Sequence, residues 1–330
     1  MKTSKQGRRL VAACLLAFAA FVCSAKGQTT ALSLPPRPVP FRELPASELE
    51  QMVELTDDGL SLPRVSPSGW MPWIAYARRF DPAAGAARIG ILMINLGGDL
   101  DLTRKAIDEL PGRVSLAFLP GSPDLPYWLR RARARSHEVY LMLPTDDPNV
   151  PAERGLRPIQ VALDAGENLA RLRSAMARGE GYVGFVMVSS GAPGQSEESL
   201  RPLLKEMADR GLGLVEVNPA PAPALARRLS AELGMGYART ADVLDYKLAD
   251  GGTLANLDRL DSWASEGTAG KPPRHRFGVV QPEAEAIEAI AAWARGRGER
   301  PAAFLPIIAH FECREACLAR LRLQPLQLQP

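Results

Sequence analysis

Histidine and cysteine are scarce in this chain. Its 330 residues include three His and four Cys. Cys14 and Cys23 fall in the apolar N-terminal stretch, which leaves Cys313 and Cys317 in the body. A zinc centre draws chiefly on Cys and His. Here His137 and His275 open apolar runs and only His310 follows one, so the supply argues against such a centre. Long hydrophobic runs are lacking too. The apolar stretch 10–22 is shorter than the roughly 20 residues that cross a bilayer, and no later run is longer. Charge of one sign is also missing. Residues 1–25 hold Lys2, Lys5, Arg8 and Arg9 and no acid. The remainder carries 36 Lys and Arg against 37 Asp and Glu. A near-neutral body excludes a broad nucleic-acid footprint. The signatures G-x-x-x-x-G-K-[ST], H-E-x-x-H and G-x-S-x-G do not occur. "GEGYVG" (179–184) matches a dinucleotide fingerprint in letters, but it follows a helical pattern and opens a strand, the reverse of what that fingerprint requires. It reads as a helix-ending turn.

What is present begins with a basic–apolar–small order at the N-terminus, the pattern of a secretory signal. Residues 1–25 are expected to be cleaved on export, placing the protein in the periplasm. The alternative is an uncleaved segment anchoring it to the inner membrane. Residues 26–45 ("LSLPPRPVPFRELP" within them) read as a Pro-rich linker. Residues 46–86 form an N-terminal extension, with Trp70, Trp73, Tyr76 and Phe80 expected to dock it on the main body.

From residue 88 apolar runs alternate with amphipathic ones. "RIGILMINL", "RVSLAFLP", "HEVYLMLP", "GYVGFVMVSS", "GLGLVEVN", a weak run at 235–239, "RFGVVQ" and "AAFLPIIA" each alternate with helical periodicity. Continuous apolar runs suit strands buried on both faces of a parallel sheet. The expected fold is α/β, a distorted (β/α) barrel of seven or eight parallel strands over 87–310, with a C-terminal helix and tail at 311–330. Barrel sites lie at the C-terminal strand ends. The candidate pocket residues there are Asn95, Asp99, Ser189, Ser190, Glu216, Asn218 and Gln281. Asp99 and Asp101 also suit helix capping, and Asp146-Asp147 reads as a solvated turn. Cys313 and Cys317, spaced i, i+4, share a helix face and are a possible disulfide.

Several stretches in order carry a family resemblance: "LPGRVSLAFLP", "WLRRARARSHEVYLMLP", "NLARLRSAMARGEGYVGFV", "LLKEMADRGLGLVEVN" and "FGVVQPEAEAIEAIAAWA". Region 88–310 resembles the divergent polysaccharide deacetylase family, exported bacterial proteins with a distorted (β/α) barrel. The resemblance implies amide hydrolysis on N-acetylated glycans with a divalent metal. The positions it assigns to metal ligands read Ile94 and Asn95, Met142, Val188, Val217 and Val279. No cofactor is therefore expected. The leading expectation is a catalytically silent protein that binds cell-envelope glycan or an envelope protein, with no membrane span in the mature chain. The alternatives are a hydrolase with a non-standard site, using residues such as Asn95, Asp99, Glu216 and Gln281, and a structural envelope protein.

Overall fold

The computed structural model describes residues 50–312, apart from 68, 79, 81–86, 148–150, 152–154, 190–195, 219–224, 246–250, 267–273 and 299. The signal, the linker, Ser190, Cys313, Cys317 and the C-terminal helix expected from the sequence lie outside the described residues.

A short antiparallel hairpin comes first, β1 (Val53–Leu55) paired with β2 (Ser61–Pro63). The barrel strands are β3 (Arg88–Leu96), β4 (Ser115–Phe118), β5 (Val139–Met142), β6 (Gly184–Val188), β7 (Gly213–Val217), β8 (Tyr237–Thr240), β9 (Asp242–Val243) and β10 (His275–Val280). They hydrogen-bond in the order β8-β7-β6-β5-β4-β3-β10-β9, with every pairing parallel. The result is a nearly closed, distorted (β/α) barrel, as the alternation of apolar and amphipathic runs predicts. Helices such as α1 (Leu100–Glu109) and α2 (Leu125–Ala134) return the chain from one strand end to the next strand start. The helices at 100–109, 165–176 and 197–209 begin where Asp99, Asp164 and Ser196 accept bonds from backbone N–H groups one turn ahead.

Alternation along each strand divides the core into two layers. Ile89, Ile91 and Met93 of β3, Leu141 of β5, Phe185 and Met187 of β6 and Leu214 of β7 pack outward in one cluster with the helices. The residues between them face the barrel interior.

The floor of the barrel, at the N-terminal strand ends, is filled by polar and aromatic groups. The buried carboxylate of Glu138 accepts bonds from Tyr140 Oη (2.7 Å), Ser115 Oγ (3.1 Å) and the backbone N–H groups of Ile308 (3.0 Å) and Arg78 (3.1 Å). One side chain thus joins the N-terminal extension, two strands and the C-terminal segment. Phe311 stacks on Trp73 with ring centroids 5.7 Å apart. It sits so close to β7 and β8 that a Cβ at Gly213 or Gly236 would come within 2.6 and 2.7 Å of its ring.

Two expectations are corrected here. "AAFLPIIA" is not a full strand. Only β11 (Ala303–Phe304) pairs, beside the start of β3, and a 3-10 turn at Ile307–His310 follows. Pro306 has no N–H to continue a ladder and caps that turn instead. His310 accordingly lies at the N-terminal end of the barrel, against Gly90 and Phe277, and not at the rim where barrel sites collect.

Candidate functional site

The C-terminal rim begins with Asn95. The register of β3 against β4 shifts between Met93 and Leu96, and Asn95 takes a left-handed backbone with φ of 59°. Asn is among the few non-glycine residues that tolerate this conformation. Its Nδ2 donates to Gln281 Oε1 at 2.9 Å, and Gln281 N–H donates to Asp245 Oδ2 at 2.7 Å. The rim is therefore tied from β3 across to the residue after β10. Asn95 is only 6% exposed, and its Oδ1 has no partner among the described residues. Whichever way the amide is turned, one of its ends is left without a partner among the described residues. Ser189, at the end of β6, is 4% exposed. Its N–H bonds to Val217 O, while its Oγ has no partner among the described residues. Buried polar atoms without partners are rare in native proteins and call for an explanation such as a ligand or water.

Other candidates are used differently. Asp99 is a helix cap, accepting bonds from the backbone N–H of Asp101 and Leu102 at 2.9 Å each. Glu216 alternates with the inward-facing residues of β7. It accepts from Asn218 Nδ2 (3.1 Å) and from the Tyr237 hydroxyl, and Arg239 Nε stands 3.9 Å away. Glu216 and Asn218 thus bond to each other and to β8, on the outward face of the wall. Burial, and then the charge of Glu216, raise the pKa of Tyr237. So the structure links Asn95 with Gln281 and Glu216 with Asn218, in two separate networks.

Sequence reading missed Thr145 and Asp245. Thr145 follows β5 at the same rim, is 6% exposed, and its Oγ1 has no partner among the described residues. Its signal was its place directly after Pro144, at the end of an apolar run. Asp147, read as part of a solvated turn, is buried.

Beneath the rim the barrel interior is apolar. Ile94, Met142, Val188, Val217 and Val279 are all buried and alternate with the outward-packing residues. These are the positions at which the family resemblance places metal ligands. Aliphatic side chains and a thioether offer a hard divalent cation no oxygen or nitrogen lone pair, and Asn95 alone among the six positions carries such a group. The residues present do not fit the metal. Among the described residues no cluster of three or more His, Cys, Asp or Glu could hold one.

The described cavity lies elsewhere. It has a volume of about 530 Å³ and sits at the seam between β8 and β10, with Arg239, Asp242, Arg276 and His310 in its wall.

No curated protein matches the chain. Among solved structures, an uncharacterized protein of Agrobacterium tumefaciens C58, ATU2773, is 27% identical with a TM-score of 0.67. The match covers 76% of this chain and 99% of that one. An Enterococcus faecalis V583 protein assigned by name to cellobiose-phosphate cleavage, EF3048, is 15% identical. It covers 67% of this chain and 97% of its own at a TM-score of 0.48. The family model described as divergent polysaccharide deacetylase matches residues 91–310, two-thirds of the chain, and the protein therefore belongs to the divergent polysaccharide deacetylase family.

Proposed function

We propose that this family member is an exported, periplasmic protein that binds cell-envelope glycan at the C-terminal rim without deacetylating it. The observation that carries the reading is the pairing of an apolar throat with unsatisfied polar atoms above it. Metal-assisted amide hydrolysis needs a cation to polarise the carbonyl and activate water. Met142, Val188 and Val279 supply no ligand for one. Asn95 can still exchange hydrogen bonds with the hydroxyl and acetamido groups of a sugar, which need no metal, while Ser189 continues the outward phase of Phe185 and Met187 at the edge of the same rim. The basic–apolar–small N-terminus supports export, and no helix among the described residues is long and apolar enough to cross a membrane.

The test combines three measurements on the native protein: metal content, acetate release from N-acetylated oligosaccharides, and affinity for the same oligosaccharides. The reading expects no stoichiometric metal, no acetate, and weak binding that Asn95→Ala lowers. Stoichiometric metal together with acetate release would replace it with an active hydrolase. Affinity unchanged by combined Asn95→Ala and Ser189→Ala substitution would remove the rim assignment.

A further inference from the structure

Among the described residues, the two edges of the barrel sheet do not meet through a backbone ladder. β9 pairs with β10 at only two positions, Gly278↔Asp242 and Val279↔Val243. Between β8 and β10 the described link is a side-chain bond from Thr240 Oγ1 to Phe277 O. The cleft of about 530 Å³ opens at this seam. One wall is Tyr237–Asp242 of β8 and its sequel. The other is the start of β10 with Arg88 of β3, and residues 309–312 close the base. A volume of this order suits a small ligand of one or two sugar rings.

The lining carries a small cationic surplus. Arg88, Arg227, Arg239 and Arg276 face it against Asp242 and Glu312, a surplus of two positive charges, reduced to one if Glu216 behind the wall is included. Arg227 is held by both carboxylate oxygens of Glu312, at 2.7 and 2.6 Å, which makes that pair part of the wall. Arg276 is placed differently. Its Nε stands 3.2 Å from Asp242, its guanidinium lies 3.9 Å above the Trp263 ring, and its side chain is 43% exposed. Stacking and one ion pair fix the plane of the group and leave most of its five donors available. At the base, both ring nitrogens of His310 are enclosed, against the backbone of Ile89 and Gly90. Burial, helped by His275 and Arg88, pushes its pKa down to about 3, so the ring is neutral at neutral pH. The rings of Phe277 and Phe311 add apolar faces.

We propose that the seam cleft is a second binding site, distinct from the rim, for a sugar-sized ligand bearing a carboxylate or phosphate, with Arg276 on the anion and Arg239 facing it from the opposite wall. Planar guanidinium groups suit both oxyanions through paired N–H donors. The site does not depend on glycan binding at the rim.

The test titrates the purified protein with glucuronic acid, glucose 6-phosphate and glucose, following heat of binding and the arginine side-chain NMR resonances. At least one anionic sugar should bind saturably, more weakly as salt is raised, while glucose does not. Binding by the uronic acid alone assigns a carboxylate, binding by the phosphate alone assigns a phosphate, and binding by both assigns the shared oxyanion. Arg276→Gln should weaken the interaction about tenfold or more, and Asn95→Ala should leave it unchanged. If a variant fails to fold, shifts of the Arg239 and Arg276 resonances in the unaltered protein decide the matter. Absence of those shifts with both anionic sugars, or anion binding abolished by Asn95→Ala and untouched by Arg276→Gln, would overturn the assignment.

Discussion

At the residue scale, the most consequential side chain is Glu138. Its carboxylate gathers four donors from four separate parts of the chain. Replacing it with Ala would leave those donors buried without an acceptor. Chemical denaturation should register a loss of about 3–5 kcal/mol, the range for breaking a buried polar network. Two histidines set the acid response. Burial lowers the pKa of His137, which is fully enclosed between Val114 O and Ile107 O, and brings that of His310 to about 3. Both rings are neutral when folded and take up protons more readily when unfolded. Their contribution to stability is complete above the usual histidine pKa of about 6.5 and is lost as pH falls from there toward the folded values. The unfolding free energy should therefore decline below about pH 6.5, and His310→Phe should flatten that decline. A decline equally steep in the variant would remove His310 from this role. His137 lies just before β5, where the sequence places it at the start of an apolar run, but the position of His310 was not legible. His310 follows an apolar run, but its location depends on Pro306 turning the chain beneath the barrel, a tertiary outcome that period and composition do not encode.

At the scale of elements, sequence patterns translated well. The apolar runs became β3 to β8 and β10 with ends shifted by three residues at most, because continuous apolar runs bounded by turn residues leave few alternatives to buried parallel strands. The turn in "GEGYVG" is also as read. Gly181 has φ of 78° and lies three residues before the start of β6, with no room for a Cβ beside Arg133. The rim was less legible. Which of Glu216 and Val217 faces inward depends on the pleat phase, and a single residue of register exchanges them. Asp99 illustrates the ambiguity of an acid between strand and helix. Because its carboxylate is engaged by two N–H groups, Asp99→Ala should cost about 1 kcal/mol of stability. Oligosaccharide affinity should not change. A loss of affinity without a loss of stability would return Asp99 to the binding surface. At the floor, Phe311→Ala should cost about 3 kcal/mol, because the glycines of β7 and β8 leave a space that no neighbouring side chain can refill. Thermal unfolding measures this directly.

For the whole molecule, family membership and an apolar throat point in different directions, and the resolution lies in treating fold and reaction as separate properties. The strand order has a further consequence, for synthesis. β3 is the first barrel strand to be made, yet one of its two long neighbours is β10, the last long strand, with Arg88 opposite His275. A chain emerging N-terminus first must carry β3 with that edge unpaired until nearly the whole barrel has appeared. Such an edge, bearing Ile89, Ile91 and Met93, is an invitation to pair with another chain. Truncation before His275 should thus give insoluble protein, checked by fractionating cells that express it. In the intact chain, the interval between making β3 and making β10 is when holding factors that shield nascent polypeptides would matter most.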